Sequence, residues 1–152
     1  MNPLFHFLIS FIFVDLIFKN ASKYFLLILV SSTFLDLDHI FYILEKKEKI
    51  LKEKFGAKSR TMLHEFIGML IFSLLASFLY FVLDKNLIKI FSLSLILHYS
   101  TDFLFGISRP FYPYSKKEIQ ITPLSTNSRI FLEIILTTVL FICFLFRFEL
   151  ML

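Results

Sequence analysis

The sequence is poor in charge, in glycine and in cysteine, and each shortage excludes a class of protein. Only 18% of its 152 residues are charged, whereas about 25% is usual in a water-soluble domain. Cys143 is the single cysteine, so the chain is not a disulfide scaffold. Three glycines leave few turns, and the apolar segments lack the alternation of a membrane β-barrel. Apolar residues make up 57% of the chain, which excludes a disordered protein.

The apolar residues are concentrated in long runs, which are too continuous for strands. Five runs lie near residues 4–18, 24–44, 62–83, 87–105 and 130–148. A helix that crosses the hydrocarbon core needs about 20 residues, a length that the last four runs reach and the first does not. We therefore predict an all-α integral membrane bundle of about five helices, with four firm spans and a short first one, in a single domain covering residues 1–152.

Basic residues are concentrated on one side of this predicted bundle. Segment 45–61 holds seven Lys and Arg residues and segment 106–129 holds four, against five on the opposite side. Because cytoplasmic loops carry the positive excess, we expect a multi-pass protein of the cytoplasmic (inner) membrane, with its N-terminus in the cytoplasm and its C-terminus outside. Acidic residues interrupt the basic loops, so a membrane surface explains them better than a nucleic-acid partner.

Ionisable residues within the apolar runs are the informative exception, because an aspartate at the centre of a span costs about 2.5–3.5 kcal/mol. All four histidines are in such runs. The full set is His6, Asp15, Asp36, Asp38, His39, His64, Glu65, His98, Asp102 and Glu133. In an up-down bundle, odd runs start on the side where even runs end. All of these residues except Asp15 therefore converge on one membrane face, predicted to be cytoplasmic, and Asp15 is interpreted as structural or as reaching the outer interface.

Helical spacing supports this convergence, since residues i and i+4 share one face of a helix. The runs carry the polar stripes Asn2–His6–Ser10, Ser32–Asp36, Arg60–His64–Gly68, Ser94–His98–Asp102 and Arg129–Glu133–Thr137. Together these stripes predict one polar cavity. Asp38 lies about 100° from His39 on a straight helix, so either the helix loosens there or Asp38 faces a second ion or a partner.

A mixed set of histidines and aspartates at this depth indicates a divalent metal, with zinc favoured over manganese or magnesium, and with room for two or more ions. A bound metal lowers the pKa of its water to about 7 and makes a nucleophile, which suits phosphoester cleavage, here of a membrane lipid or a lipid-like substrate. The strongest ligand predictions are Asp36, His39, His64, His98 and Asp102. The candidate catalytic residues are Asp38, Glu65 and Arg60, and the candidate phosphate-binding residues are Arg60, Arg109, Lys116 and Lys117.

Several short motifs follow one another in a characteristic order. They are His6, Leu35-Asp36-Leu37-Asp38-His39, Arg60-Thr61-Met62-Leu63-His64, His98-Tyr99-Ser100-Thr101-Asp102 with Gly106, and Tyr112-Pro113-Tyr114-Ser115-Lys116-Lys117. This order resembles the YdjM type of small membrane-bound metal-dependent hydrolases. The third motif departs from the family pattern at Ser59 and Leu63.

The resemblance implies a helical fold distantly similar to zinc-dependent phospholipase C and P1-type nucleases. It also implies the candidate metal ligands His6, Asp36, Asp38, His39, His64, His98 and Asp102.

Two other functions remain open at this point. Four histidines in spans permit a b-type haem held by two imidazoles, although the neighbouring aspartates disfavour haem iron. The same carboxylates would also suit a non-enzymatic membrane component, such as a transporter subunit or a proton relay. The favoured hypothesis is a membrane-bound, metal-dependent hydrolase.

Overall fold

A computed structural model describes residues 2–37, 39 and 61–149 of the chain, and this part is built of α-helices and short helical turns. The helices are α1 (Pro3–Phe18), α2 (Phe25–Thr33), α3 (Phe66–Leu79), α4 (Lys85–Phe105) and α5 (Thr126–Glu149). Single turns of 3-10 helix occur at Ala21–Tyr24, Phe34–Asp36 and Met62–His64. The described residues contain no named strand, only one isolated bridge between Ser108 and Ile119. The prediction of an all-α protein with about five helices is confirmed.

Local capping explains where the first and fourth helices begin. Asn2 precedes Pro3 of α1, and its side-chain oxygen accepts a hydrogen bond from the Phe5 backbone N–H at 2.8 Å. The carboxylate of Asp84 likewise accepts from the N–H groups of Asn86 and Leu87 at the start of α4. Both caps satisfy donors that have no partner within the helix.

Two helices are shorter than the runs that predicted them. α2 ends at Thr33, where the hydroxyls of Ser31 and Thr33 donate to carbonyls one turn back, at 2.6 and 2.7 Å. Such hydroxyls compete with the helical hydrogen bonds and favour a bend. α3 begins only at Phe66, because Glu65 has an extended backbone with φ −112° and ψ −174°. Residue 38 and residues 40–60, which hold the end of run 24–44 and most of loop 45–61, lie outside the described residues.

Among the described residues, only α4 and α5 are long and apolar enough to cross a membrane, while α1 and α3 are shorter apolar helices. The prediction of four firm spans is therefore not confirmed. Many large apolar side chains are exposed, including Leu74 on α3 at 72% and Phe131 on α5 at 66%. An extended exposed apolar surface is typical of a protein that contacts lipid or a partner.

α1 is the central helix, because it packs against α2, α4 and α5, whereas α3 packs against α4. Phe11 of α1 meets Phe144 of α5 edge to face, with ring centroids 4.9 Å apart. At the far end of these two helices, Arg147 Nε lies 3.0 Å from the carboxylate of the buried Asp15. This ion pair agrees with a structural role for Asp15. The start of α1 and the end of α4 lie together at the opposite end of the bundle.

Candidate metal centre

Five ionisable side chains from four segments meet at that opposite end, and all are at most 4% exposed. We call them the His/Asp cluster. It consists of His6 on α1, Asp36 after α2, His64 before α3, and His98 and Asp102 on α4. All five were predicted as ligands, and the structure brings them together.

Asp102 bridges the histidines of the cluster. One of its carboxylate oxygens lies 3.2 Å from His6 Nε2, and the other lies 2.9 Å from His64 Nε2. The Nε2 atoms of His64 and His98 are 3.1 Å apart, and each lies 3.9 Å from Asp36 Oδ1. Nitrogen and oxygen atoms of all five side chains therefore lie close enough together to coordinate common metal ions.

A hydrogen bond outside the cluster fixes the protonation of His98. Its Nδ1 lies 2.7 Å from the carbonyl oxygen of Ser32. Because a carbonyl can only accept, the proton is on Nδ1. In the neutral ring, Nε2 then directs its lone pair into the cluster. Metal-binding histidines commonly donate their second N–H to a backbone carbonyl in this way.

His6 is arranged similarly. Its Nδ1 lies 3.1 Å from the hydroxyl oxygen of Thr101, whose own proton goes to the Leu97 carbonyl at 2.8 Å. Thr101 therefore accepts from His6 Nδ1–H, and His6 Nε2 directs a lone pair at the Asp102 carboxylate. Two electron-rich atoms at this distance repel each other unless a proton or a metal ion lies between them. The donor set thus fits a divalent cation.

The cluster and the neighbouring His39 offer more than one combination of candidate ligands. Three overlapping sets each place one ligand atom per residue within 4.8 Å of the others: His6, Asp36 and His98; Asp36, His39 and His64; and His64, His98 and Asp102. His39 is half-buried, and its ring centroid lies 5.1 Å from that of His64. Because the sets share members, two ions bridged by common ligands are compatible with this arrangement. Mixed imidazole and carboxylate donors suit zinc or manganese.

Two residues contact the turn that carries His64. The Tyr99 hydroxyl donates to the Leu63 carbonyl oxygen at 2.5 Å. Gly68 approaches so closely that an added Cβ would lie 1.9 Å from the same oxygen. The roles of Tyr99 and Thr101 were not predicted from the sequence. Their position inside the His98–Asp102 motif was the only available signal, because it places them on the ligand-bearing helix.

Glu65 adjoins the cluster in the chain and contacts Arg109. Glu65 follows His64, is 3% exposed, and accepts a hydrogen bond from the Arg109 backbone N–H at 2.9 Å. The Arg109 guanidinium carbon is 4.5 Å from the centroid of the Tyr112 ring. A buried carboxylate therefore lies one residue from His64, and the backbone of Arg109 is joined to it.

The other predicted site residues are placed differently. Lys116 and Lys117 are exposed on the loop before α5. Asp38 and Arg60 lie outside the described residues, so the predictions for them stand as predictions. Glu133 is half-buried on α5 and makes no hydrogen bond or ion pair within the described part of the chain. The predicted stripe on α5 therefore does not join the cluster through such a contact.

Comparison with known proteins identifies a family for this chain. The YdjM inner membrane protein family matches residues 1–151, nearly the whole chain. No curated protein and no solved structure matches.

Proposed function

The chain belongs to the YdjM inner membrane protein family, and on that premise we propose that it is a membrane-bound, metal-dependent hydrolase that cleaves phosphoesters. The observation that carries the proposal is the convergence of three histidines and two aspartates in one buried cluster. Ionisable groups are costly inside a membrane protein and persist mainly where they have a functional partner.

The cation would be held by His6, Asp36, His64, His98 and Asp102, with His39 and Asp38 as further ligands. Imidazole nitrogens favour zinc over magnesium, with manganese as the alternative, and the overlapping sets support two or more ions. When bound, such a cation would polarise a phosphoryl oxygen and activate water for attack.

Residues beside the cluster supply the remaining chemistry. Glu65 accepts the proton of the attacking water, since its carboxylate is buried one residue from His64 and is held by the Arg109 N–H. The Arg109 guanidinium binds the anionic phosphate, for which a planar fork of donors is well suited. Arg60, Lys116 and Lys117 are further candidates for the same anion, and Asp38 for a catalytic role.

The cluster is assigned to the cytoplasmic face, in a multi-pass protein with its N-terminus inside and its C-terminus outside. The eleven basic residues of loops 45–61 and 106–129, against five on the other side, support this orientation. In the structure, α4 carries His98 and Asp102 near its C-terminal end and continues directly into the second of these loops.

The alternatives receive less support from the geometry. A haem ring would have to lie between two ligating imidazoles, yet the Nε2 atoms of His64 and His98 are 3.1 Å apart. His6 and His98 stack with centroids 3.9 Å apart, which also leaves no space for a porphyrin. No contact of the described residues favours a transporter subunit over a hydrolase.

The hydrolase proposal is tested with the purified full chain and two probes, p-nitrophenyl phosphate and bis(p-nitrophenyl) phosphate. We expect hydrolysis of at least one probe that a chelator abolishes and added zinc restores. A Glu65→Gln variant should retain its metal and lose at least tenfold in rate. A control variant, Glu118→Gln on the exposed loop, should keep the wild-type rate. Metal-loaded protein that hydrolyses neither probe would contradict the proposed phosphoesterase.

A further inference from the structure

We propose that the groove between α3 and α4 holds one acyl chain of a membrane lipid whose phosphate group lies at the His/Asp cluster. The placement of the phosphate rests on the proposed function, whereas the chain-binding groove does not. The groove encloses about 580 Å³ and is lined by both helices.

Small side chains open the groove in its middle. The α3 residues that line it follow helical spacing; they are Met69, Phe72, Ser73, Ala76 and Ser77, and Tyr80 lines it just after the end of the helix. Three consecutive positions of this face are Ser73, Ala76 and Ser77, and Ser92 faces them from α4. Short side chains on both helices leave a channel that larger residues would fill.

The length of the groove matches one leaflet of a bilayer. On α4 it extends from Ile88 to Tyr99, about 17 Å at a rise of 1.5 Å per residue. This is close to half of the hydrocarbon core, which is about 30 Å thick. A chain that occupies one leaflet therefore fits along it.

One end of the groove lies beside the turn that carries His64. Tyr99 lines the groove, follows the ligand His98 in the chain, and donates to the carbonyl of Leu63, directly before His64. A lipid with its tail in the groove would thus present its head to the ligands.

The long side of the groove is open to the surroundings of the bundle. Ile96 of α4 lines it and is 57% exposed, and Phe81, in the turn that joins the two helices at one end of the groove, is 87% exposed. In an inner membrane protein such apolar rims face hydrocarbon, so a lipid enters sideways without passing through water. Acyl chains are the apolar ligand that a bilayer supplies at this depth.

The test uses the full chain in vesicles of phosphatidylethanolamine and phosphatidylglycerol. A small share of the phosphatidylglycerol carries a photoreactive diazirine in the middle of one acyl chain. After illumination, we expect the labelled peptides to be concentrated on the groove faces of α3 and α4. Ala76→Phe or Ser92→Phe should lower this labelling at least fivefold, because either ring fills the channel. Leu74→Phe, on the exposed face of α3, should leave it unchanged.

Equal labelling of the exposed faces of α3 and α5, or unchanged groove labelling in both filling variants, would overturn the proposal. Metal content, measured in the same samples, shows whether each variant retains its fold. Crosslinking requires no hydrolysis. Groove labelling in a protein that cleaves no phosphoester would therefore contradict the proposed function and leave the chain-binding site standing.

Discussion

At the scale of single residues, the proposed metal binding of the cluster would depend on hydrogen bonds that lie outside it. The Ser32 carbonyl and the Thr101 hydroxyl each accept the Nδ1 proton of one histidine. Both rings therefore direct Nε2 towards Asp102. Partners of this kind orient a ligand and raise its basicity, and their loss typically weakens metal binding by about 10–100-fold.

Replacing Thr101 with valine tests this effect without removing a ligand. Valine keeps the shape of the side chain but cannot accept the His6 Nδ1 proton. We expect at least a tenfold weaker zinc affinity, measured by competition with a chromophoric chelator. Ser100→Ala changes the exposed neighbour and should bind zinc like the wild type. Equal affinities for Thr101→Val and the wild type would show that Thr101 does not position His6.

The residues of the His/Asp cluster were predictable from sequence, but the partners that orient them were not. Spacing of four residues placed His98 and Asp102 on one face of a helix, and the direction of the runs placed both near His6 and His64. The Tyr99–Leu63 and Thr101–His6 contacts join distant segments. Such contacts depend on how the helices pack, which a periodic pattern does not specify.

At the scale of elements, the helix ends rather than the helix interiors position the cluster. Asp36 belongs to the 3-10 turn after α2, and His64 belongs to the 3-10 turn before α3. The apolar runs predicted continuous helices through both positions. The α-helices do not continue there. Hydropathy does not register the hydroxyls of Ser31 and Thr33, which bond back to the helix, nor the extended backbone of Glu65.

A Gly68→Ala variant tests the turn that carries His64. The added methyl group would lie 1.9 Å from the Leu63 carbonyl oxygen, so the turn has to move and His64 with it. We expect a zinc affinity at least tenfold weaker, while the helical content seen by circular dichroism changes little. The matched control is Gly106→Ala, at a φ of −91° that alanine adopts readily. Wild-type affinity in Gly68→Ala would contradict a rigid role for this turn.

At the scale of the whole molecule, the two ends of the bundle hold different polar groups. One end holds the buried His/Asp cluster, and the other holds the Asp15–Arg147 ion pair. Between them, α5 exposes an apolar face suited to lipid. The positions of the ionisable residues along the apolar runs predicted this division into an apolar body and a polar end. It did not show how much of each run becomes a regular helix long enough to span.

An arginine in the middle of α5 tests whether this helix spans the membrane. Val139 is 52% exposed there, and Val139→Arg should disfavour insertion by about 3 kcal/mol. The readout is alkaline phosphatase, which is active only outside the cytoplasm, fused after Leu152. We expect an active fusion in the wild type and in Val139→Leu, and at least a tenfold loss in Val139→Arg. An inactive wild-type fusion would contradict the orientation, and equal activity in Val139→Arg would contradict α5 as a span.

The most direct test of the metal centre is the metal content of the purified chain, measured by elemental analysis. The His/Asp cluster predicts at least one divalent ion per chain, with zinc expected. Asp102→Asn should lose it, because the amide cannot replace the bridging carboxylate. Asp15→Asn changes a buried aspartate at the other end of the bundle and should retain the ion. A wild-type chain without metal, or equal metal in the Asp102→Asn variant, would contradict a metal centre at this site.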